Sequence, residues 1–102
     1  MMRLVLSAAL MMSMSGPVLA QTDAKKVADC AHQASVVTAI QQARLDRIKE
    51  RNVKDHVTEQ ATWPENFNTA IPLLTPWVYE MKMRVIRNED LGAAWSELCL
   101  QQ

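Results

Sequence analysis

The sequence predicts an all-α fold, a small irregular bundle of four or five helices with one disulfide bond joining the first and last helices. No glycine or proline interrupts residues 24–51, as is typical of a long helix. No stretch of the chain alternates apolar and polar residues as a half-buried strand does. The two cysteines, Cys30 and Cys99, lie near opposite ends of the predicted helical region.

Residues 1–20 have the layout of a secretory signal peptide. Arg3 precedes an apolar run over residues 4–12, and a small residue, Ala20, ends the segment. The apolar run is shorter than the roughly 20 residues that a membrane span needs, which disfavours an uncleaved anchor. We expect cleavage after Ala20, a single helical domain over residues 21–102, no stable membrane span after cleavage, and a periplasmic or secreted location.

The charge composition argues against a nucleic-acid partner. The chain has 11 basic and 11 acidic residues, and the predicted cleavage removes Arg3, so the mature domain has one net negative charge. Domains that bind nucleic acid are normally strongly basic. The mature domain is also short, and domains of this size often need a covalent staple.

An exported chain with two cysteines is predicted to form an intramolecular disulfide bond. A bond between Cys30 and Cys99 closes about 70 residues, and in the chain-entropy model it stabilises the fold by up to roughly 4 kcal/mol. Two free thiols and an intermolecular bridge are the alternatives.

The first helix is predicted over residues 24–51, because apolar residues recur on one stripe at helical spacing. This spacing places Cys30 toward the core. The predicted stripe consists of Val27, Cys30, Ala31, Ala34, Val37, Leu45 and Ile48. The second helix is predicted over residues 53–61, with Asn52 as its N-cap.

Prolines and capping residues divide the rest of the chain. Thr62, with Glu65 three residues later, predicts the start of a helix over residues 63–71. Thr75 followed by proline predicts the start of another helix over residues 76–87.

The last helix is predicted over residues 89–100, with Asn88 as its N-cap. Cys99 lies at the edge of its apolar stripe, which consists of Leu91, Ala94, Trp95 and Leu98. Two core-facing cysteines can therefore meet if the first and last helices pack side by side.

The supply of residue types argues against most catalytic sites. Gly92 is the one glycine after residue 20, so phosphate-binding loops, dinucleotide fingerprints and the nucleophile elbow are absent. We expect Gly92 to permit close helix packing instead. We predict a protein that is not an enzyme, with no catalytic residue and no cofactor, and a carboxylate-based site on Asp29 or Glu65 is the alternative.

Metal sites are also poorly supported. His32 and His56 fall on different predicted helices, so zinc would require both to converge with a carboxylate such as Asp29. Met81 and Met83 are soft ligands suited to Cu(I), but on a helix they point about 200° apart. We predict no metal site, with zinc binding and copper handling as disfavoured alternatives.

The predicted helix from Pro76 to Arg87 has two apolar sides. In a small bundle, neighbouring helices easily cover one broad face of a helix, but there are few helices left to cover a second face. This helix is therefore either central in the bundle or partly exposed as a contact patch. The candidate patch consists of Tyr79, Lys82, Met83 and Ile86.

These features favour a function in protein binding. We expect an unknown protein partner in the periplasm, or self-association, with the chain acting as an accessory subunit, an inhibitor or an immunity-type protein. The alternative function is that of a periplasmic acid-stress chaperone. Small exported proteins of both kinds share the layout of signal peptide, helices and one disulfide bond, but no motif ties this chain to either family.

Overall fold

A computed structural model describes residues 16–102, with side chains from Asp23 onward. Within these residues the chain forms five α-helices and no strand, so the predicted all-α fold class is confirmed. The helices are α1 (Gly16–Leu45), α2 (Val53–Glu59), α3 (Ala70–Tyr79), α4 (Met83–Asn88) and α5 (Leu91–Leu100). Short 3₁₀ helices precede α2 and α3, at Glu50–Asn52 and Glu65–Thr69.

Most of the predicted signal peptide lies outside the described part of the chain, because that part begins at residue 16. The predicted cleavage point after Ala20 falls within α1. Cleavage therefore stays a prediction. Across residues 16–102, no helix combines the length and the hydropathy that a membrane crossing needs.

The predicted disulfide bond between Cys30 and Cys99 is confirmed. It joins α1 to α5, with the two Cα atoms 5.7 Å apart. Cys30 is buried and Cys99 is half-buried. The first and last helices therefore pack side by side, as the positions of the two cysteines on their helices predicted.

α1 is the central helix of the bundle, and it contacts α2, α3, α4 and α5. Because neighbours cover it on more than one side, its buried residues differ from the predicted stripe. Val27 is 55% exposed and Ala31 is exposed. The core cluster consists of Val36, Val37, Ile40, Ala43, Val53, Val57, Trp63, Ile71, Leu74, Val78, Ile86 and Leu91.

The first helix ends earlier than predicted, at Leu45 instead of residue 51. The amide of Ile48 donates to the carbonyl of Ala43 (2.9 Å), and the amide of Arg47 donates to that of Arg44 (3.0 Å). This pattern is a Schellman motif, in which the residue after the cap is left-handed. Here that residue is Arg47, with φ 62°. Glycine normally marks this position, so the sequence contained no sign of the helix end.

Pro76 does not start the helix that it was predicted to start, and the predicted helix after Thr62 also differs from the observed elements. The predicted helix over residues 63–71 is a 3₁₀ helix followed by the start of α3, and no side-chain cap forms at Thr62. Pro72 is the third residue of α3, and the backbone amides of the first four residues of a helix have no acceptor within the helix. A proline is therefore tolerated at this position. Pro76 lies inside α3. Because proline has no amide hydrogen, Pro76 cannot donate to the carbonyl of Pro72, four residues earlier. Pro72 is an exposed residue.

The predicted helix over residues 76–87 is two helices, because Glu80, Met81 and Lys82 form the connection between α3 and α4. The predicted cap of the last helix is also wrong by two residues. Asp90 is the N-cap of α5, and its carboxylate accepts a hydrogen bond from the amide of Ala93 (3.0 Å). The Asn88 side chain instead donates to the carbonyl of Arg84 at the end of α4 (2.8 Å).

Candidate protein-contact surface

The structure does not place the four residues of the predicted contact patch on one exposed face. Ile86 is only 1% exposed and belongs to the core cluster, so it cannot touch a partner. Tyr79 and Met83 are half-buried, and Lys82 is exposed in the connection between α3 and α4. Partner binding by the remaining residues stays a prediction, but the contacts of Tyr79 and Met83 are internal.

Those internal contacts centre on Arg44, near the end of α1. Its guanidinium group donates hydrogen bonds to the carbonyls of Tyr79 and Met81, the second at 2.7 Å. Its Nε lies 3.2 Å from the sulfur of Met83, and its charge lies 5.3 Å from the centre of the Tyr79 ring. Arg44 therefore satisfies carbonyls at the end of α3 and fixes the turn into α4. Arg44 was not among the residues singled out from the sequence, because nothing in its neighbourhood along the chain marks these distant contacts.

Tyr79 is held by the same cluster. Its hydroxyl donates to the carbonyl of Ile48, at the end of the Schellman motif (2.6 Å). Burial raises the pKa of Tyr79 above its ordinary value, the charge of Arg44 opposes this rise, and the charge of Glu50 adds to it. These contacts indicate a structural role for Tyr79 and Arg44.

A different surface offers apolar side chains to solvent. It is a groove of about 460 Å³ to which α1, α3, α5 and the second 3₁₀ helix contribute, and we call it the α3–α5 groove. Its apolar walls consist of Phe67, Ala70, Leu73, Leu74 and Trp95. The polar residues Gln33, Asn66 and Thr69 complete the lining, and none of the lining residues is charged.

The aromatic walls of the α3–α5 groove are held in place by specific contacts. The indole nitrogen of Trp95 donates to the side-chain oxygen of Gln33 on α1 (3.0 Å). The Trp95 ring also meets Trp77 edge to face, with ring centres 5.5 Å apart. On the opposite wall, Phe67 packs against His32 with ring centres 4.9 Å apart. The groove is therefore built before any partner arrives, which lowers the entropic cost of binding.

Leu73 is the most exposed large apolar residue among the described side chains, at 77%. It lies one turn before Trp77 on α3, and Leu98, at 45% exposure, lies one turn after Trp95 on α5. Exposed apolar side chains mark many protein-binding surfaces, and tryptophan is enriched among the residues that contribute most to binding.

A second, larger groove of about 680 Å³ lies between α1 and α5. It is lined mainly by small and hydroxyl-bearing residues, among them Ala31, Ala34, Ser35, Thr38, Gly92 and Ser96. Trp63, the one aromatic residue of its lining, is only 8% exposed. Because energetic anchors of protein interfaces are usually aromatic or arginine side chains, this groove is a weaker candidate.

The other residues that the sequence singled out lie apart. His32 packs on Phe67, while His56 lies on α2 near the side chain of Gln60. Among the described residues, no group of three or more histidine, cysteine, aspartate and glutamate side chains could hold a metal ion. Asp29 pairs with Lys25 on the surface of α1 at 2.7 Å.

Comparison of the chain with known protein families, with curated proteins and with solved structures found no match. The function is therefore inferred from the contacts, burial and charge of the described residues.

Proposed function

We propose that the protein acts by binding another protein in an exported compartment, as an accessory, inhibitor or immunity-type subunit, through the α3–α5 groove. The single observation that carries the proposal is the 77% exposure of Leu73 in a groove that Phe67 and Trp95 also line. The confirmed disulfide bond and the predicted signal peptide support the exported location.

The shape of the α3–α5 groove favours a protein partner over a small molecule. Sites for small molecules enclose most of the ligand surface. Leu73, by contrast, projects from the groove with most of its surface in solvent, so it would itself enter a recess on the partner. The occupant that suits this arrangement is the apolar face of a helix of another protein, because helices commonly bind in grooves between helices.

The absence of charge in the groove lining narrows the chemistry of the partner. An ionised side chain placed against Phe67, Leu74 and Trp95 would lose its hydration without gaining a counter-charge. Gln33, Asn66 and Thr69 can exchange hydrogen bonds with neutral polar groups at the edge of such a helix. The partner segment is therefore expected to be uncharged where it meets the groove.

The test compares two variants that each remove one exposed apolar side chain. Leu73→Ser removes the projecting residue of the groove, whereas Val27→Ser removes an exposed apolar residue on α1 that does not line it. The parent chain is used to capture proteins from the exported fraction, and these are identified by mass spectrometry. Each candidate is then purified, and its affinity is measured for the parent chain, for Leu73→Ser and for Val27→Ser.

Leu73→Ser is expected to weaken binding of the true partner about tenfold or more, which is the effect of losing a well-packed anchor. Val27→Ser is expected to leave the affinity within about twofold, and both variants should melt close to the parent chain because the replaced residues are exposed. Equal affinity of the parent chain and Leu73→Ser would contradict the proposal. Dimerisation of the parent chain, abolished by Leu73→Ser, would identify a second copy as the occupant in place of another protein.

The alternative function, acid-stress chaperoning, gains no support from the described contacts. Such a chaperone must lose structure when its carboxylates are protonated, below about pH 4. Among the described side chains the one ion pair is the exposed contact between Lys25 and Asp29. Retained near-ultraviolet circular dichroism at about pH 2.5, without suppression of client aggregation, would eliminate this alternative.

A further inference from the structure

The disulfide bond lies at the edge of the apolar core, because Cys30 is buried but neither cysteine belongs to the core cluster. All residues of the core cluster lie between Val36 and Leu91 in the sequence. Cys30 and Cys99 lie on either side of that span, at one end of the α1–α5 pair. The disulfide bond therefore joins two segments that contribute little to the core.

The first half of α5 is attached to the bundle independently of the disulfide bond. Leu91 and Gly92 are buried. The side-chain amide of Gln41 donates to the carbonyls of Ile86 (2.7 Å) and Glu89 (2.8 Å), just before α5 begins. These contacts hold the start of α5 to α1 whatever the state of the cysteines.

Apart from the disulfide bond, the second half of α5 is attached mainly through Trp95, which packs against Trp77 and the core cluster. Leu98, Leu100 and the last two residues of the chain are exposed. Apart from the disulfide bond, the described polar contacts of this half with α1 are the hydrogen bond of Trp95 with Gln33 and that of the Lys26 ammonium group with the Gln102 carbonyl. The start of α1, over residues 23–29, is likewise exposed or half-buried.

The disulfide bond also borders solvent. Both cysteines line an open groove of about 330 Å³, together with Lys25, Asp29 and Gln102. Cys30 is 1% exposed, whereas Cys99 is half-buried, so an external thiolate reaches the sulfur of Cys99 first.

We propose that the Cys30–Cys99 disulfide bond is a redox latch. Reduction by a dithiol releases the second half of α5 and the start of α1, while the core between Val36 and Leu91 stays folded. The latch would also affect the α3–α5 groove, because Trp95 forms one of its walls and Gln33 Oε1 lies 3.7 Å from the sulfur of Cys99. That last consequence rests on the proposed function, whereas the latch itself does not.

The chemistry is a thiol–disulfide exchange in two displacements. A thiolate of the dithiol attacks the sulfur of Cys99, the bond to Cys30 breaks, and Cys30 leaves as a thiolate that takes up a proton. The second thiol of the reductant then loses its proton and attacks the first sulfur of the reductant, so that Cys99 leaves as a thiolate and is protonated in turn. Two electrons and two protons pass to the protein, and the reductant becomes a cyclic disulfide.

The first experiment measures hydrogen exchange by mass spectrometry at 25 °C. It compares the oxidised chain, the chain kept in dithiothreitol, and the double variants Cys30→Ala with Cys99→Ala and Cys30→Ser with Cys99→Ser. Exchange is expected to accelerate at least tenfold over residues 23–30 and 94–102, and to change by less than about threefold over residues 36–43 and 71–78. Accelerated exchange across the whole chain would overturn the proposal, and so would unchanged exchange at residues 94–102.

The second experiment measures the rate of reduction of the oxidised chain as the dithiothreitol concentration is raised under native conditions. A latch that is attacked directly shows a rate proportional to the concentration of the reductant. A rate that levels off at the rate of global unfolding would mean that reduction requires an unfolded chain, which contradicts the proposal. Neither readout depends on a binding partner, so failure of the latch and failure of the proposed function are distinguishable.

Discussion

The hydroxyl of Thr38 lies directly against Gly92, at the place where α1 and α5 pack most closely. A β-carbon added at Gly92 would lie 2.4 Å from Thr38 Oγ1 and 3.0 Å from the carbonyl oxygen of Ala34. Real β-carbons essentially never make a contact as short as the first, so the Thr38 side chain would have to leave its hydrogen bond to the Ala34 carbonyl or the two helices would have to separate. The predicted role of Gly92 in close helix packing is confirmed.

Gly92→Ala is therefore expected to destabilise the fold by about 1–3 kcal/mol, the usual cost of overpacking, although alanine is the better helix former. The free energy of unfolding in urea measures the effect. In a Thr38→Ala background the nearest clash is absent, so the same substitution should cost less than half as much. A neutral or stabilising Gly92→Ala would contradict the observed packing distance.

Arg47→Gly is expected to stabilise the fold by about 1 kcal/mol. The residue has a φ of 62°, a left-handed conformation that costs an arginine roughly that amount and costs glycine nothing. Thermal unfolding measures the gain. Arg47→Ala is the matched control, because it removes the same side chain but keeps the β-carbon, and it should melt near the parent chain. Equal melting temperatures for the two variants would mean that backbone strain at this turn is negligible.

Tyr79 is expected to make the fold less stable at alkaline pH. Burial raises its pKa, so folding favours the neutral phenol. This contribution to stability is complete below about pH 10, the ordinary pKa of tyrosine, and is lost as the pH rises through the higher pKa of the folded state. Tyr79 is the one tyrosine of the chain, so ultraviolet difference absorbance reports its titration directly.

Tyr79→Phe provides the control for this alkaline effect. The variant lacks the hydrogen bond to Ile48 and should lose about 1 kcal/mol at neutral pH. Above about pH 10 its stability should fall less steeply than that of the parent chain. Parallel stability curves over this range would show that Tyr79 does not carry the alkaline effect.

The fold class and the disulfide bond could be predicted from the sequence because they depend on features that are strong and local. An uninterrupted helical stripe, and two cysteines after a predicted signal peptide, leave few alternatives. The helix boundaries were harder, because they depend on backbone conformations that the sequence does not mark. Arg47 occupies a position that usually belongs to glycine, and Pro76 is accommodated inside α3.

The candidate surface was predicted less well than the fold, because burial depends on which helices become neighbours. Ile86 shares a helical side with Tyr79 and Met83 in the sequence pattern, yet the break at Lys82 turns Ile86 into the core. Leu73 was not singled out from the sequence, although it faces solvent. A signal was present, since α3 has more apolar residues than one buried face can hold.

The pairing of α1 with α5 determines when the chain can fold. The two cysteines are separated by 69 positions, so the contacts between the first and last helices form only after most of the chain is available. During synthesis, which proceeds from the N-terminus, the apolar residues of α1 emerge long before α5 can cover them. The pairing of α1 with α5 slows folding, because closing the long loop between them costs entropy before any contact compensates for it. A nascent chain of this protein is therefore most exposed to aggregation and to proteolysis in the interval before residues 91–100 emerge.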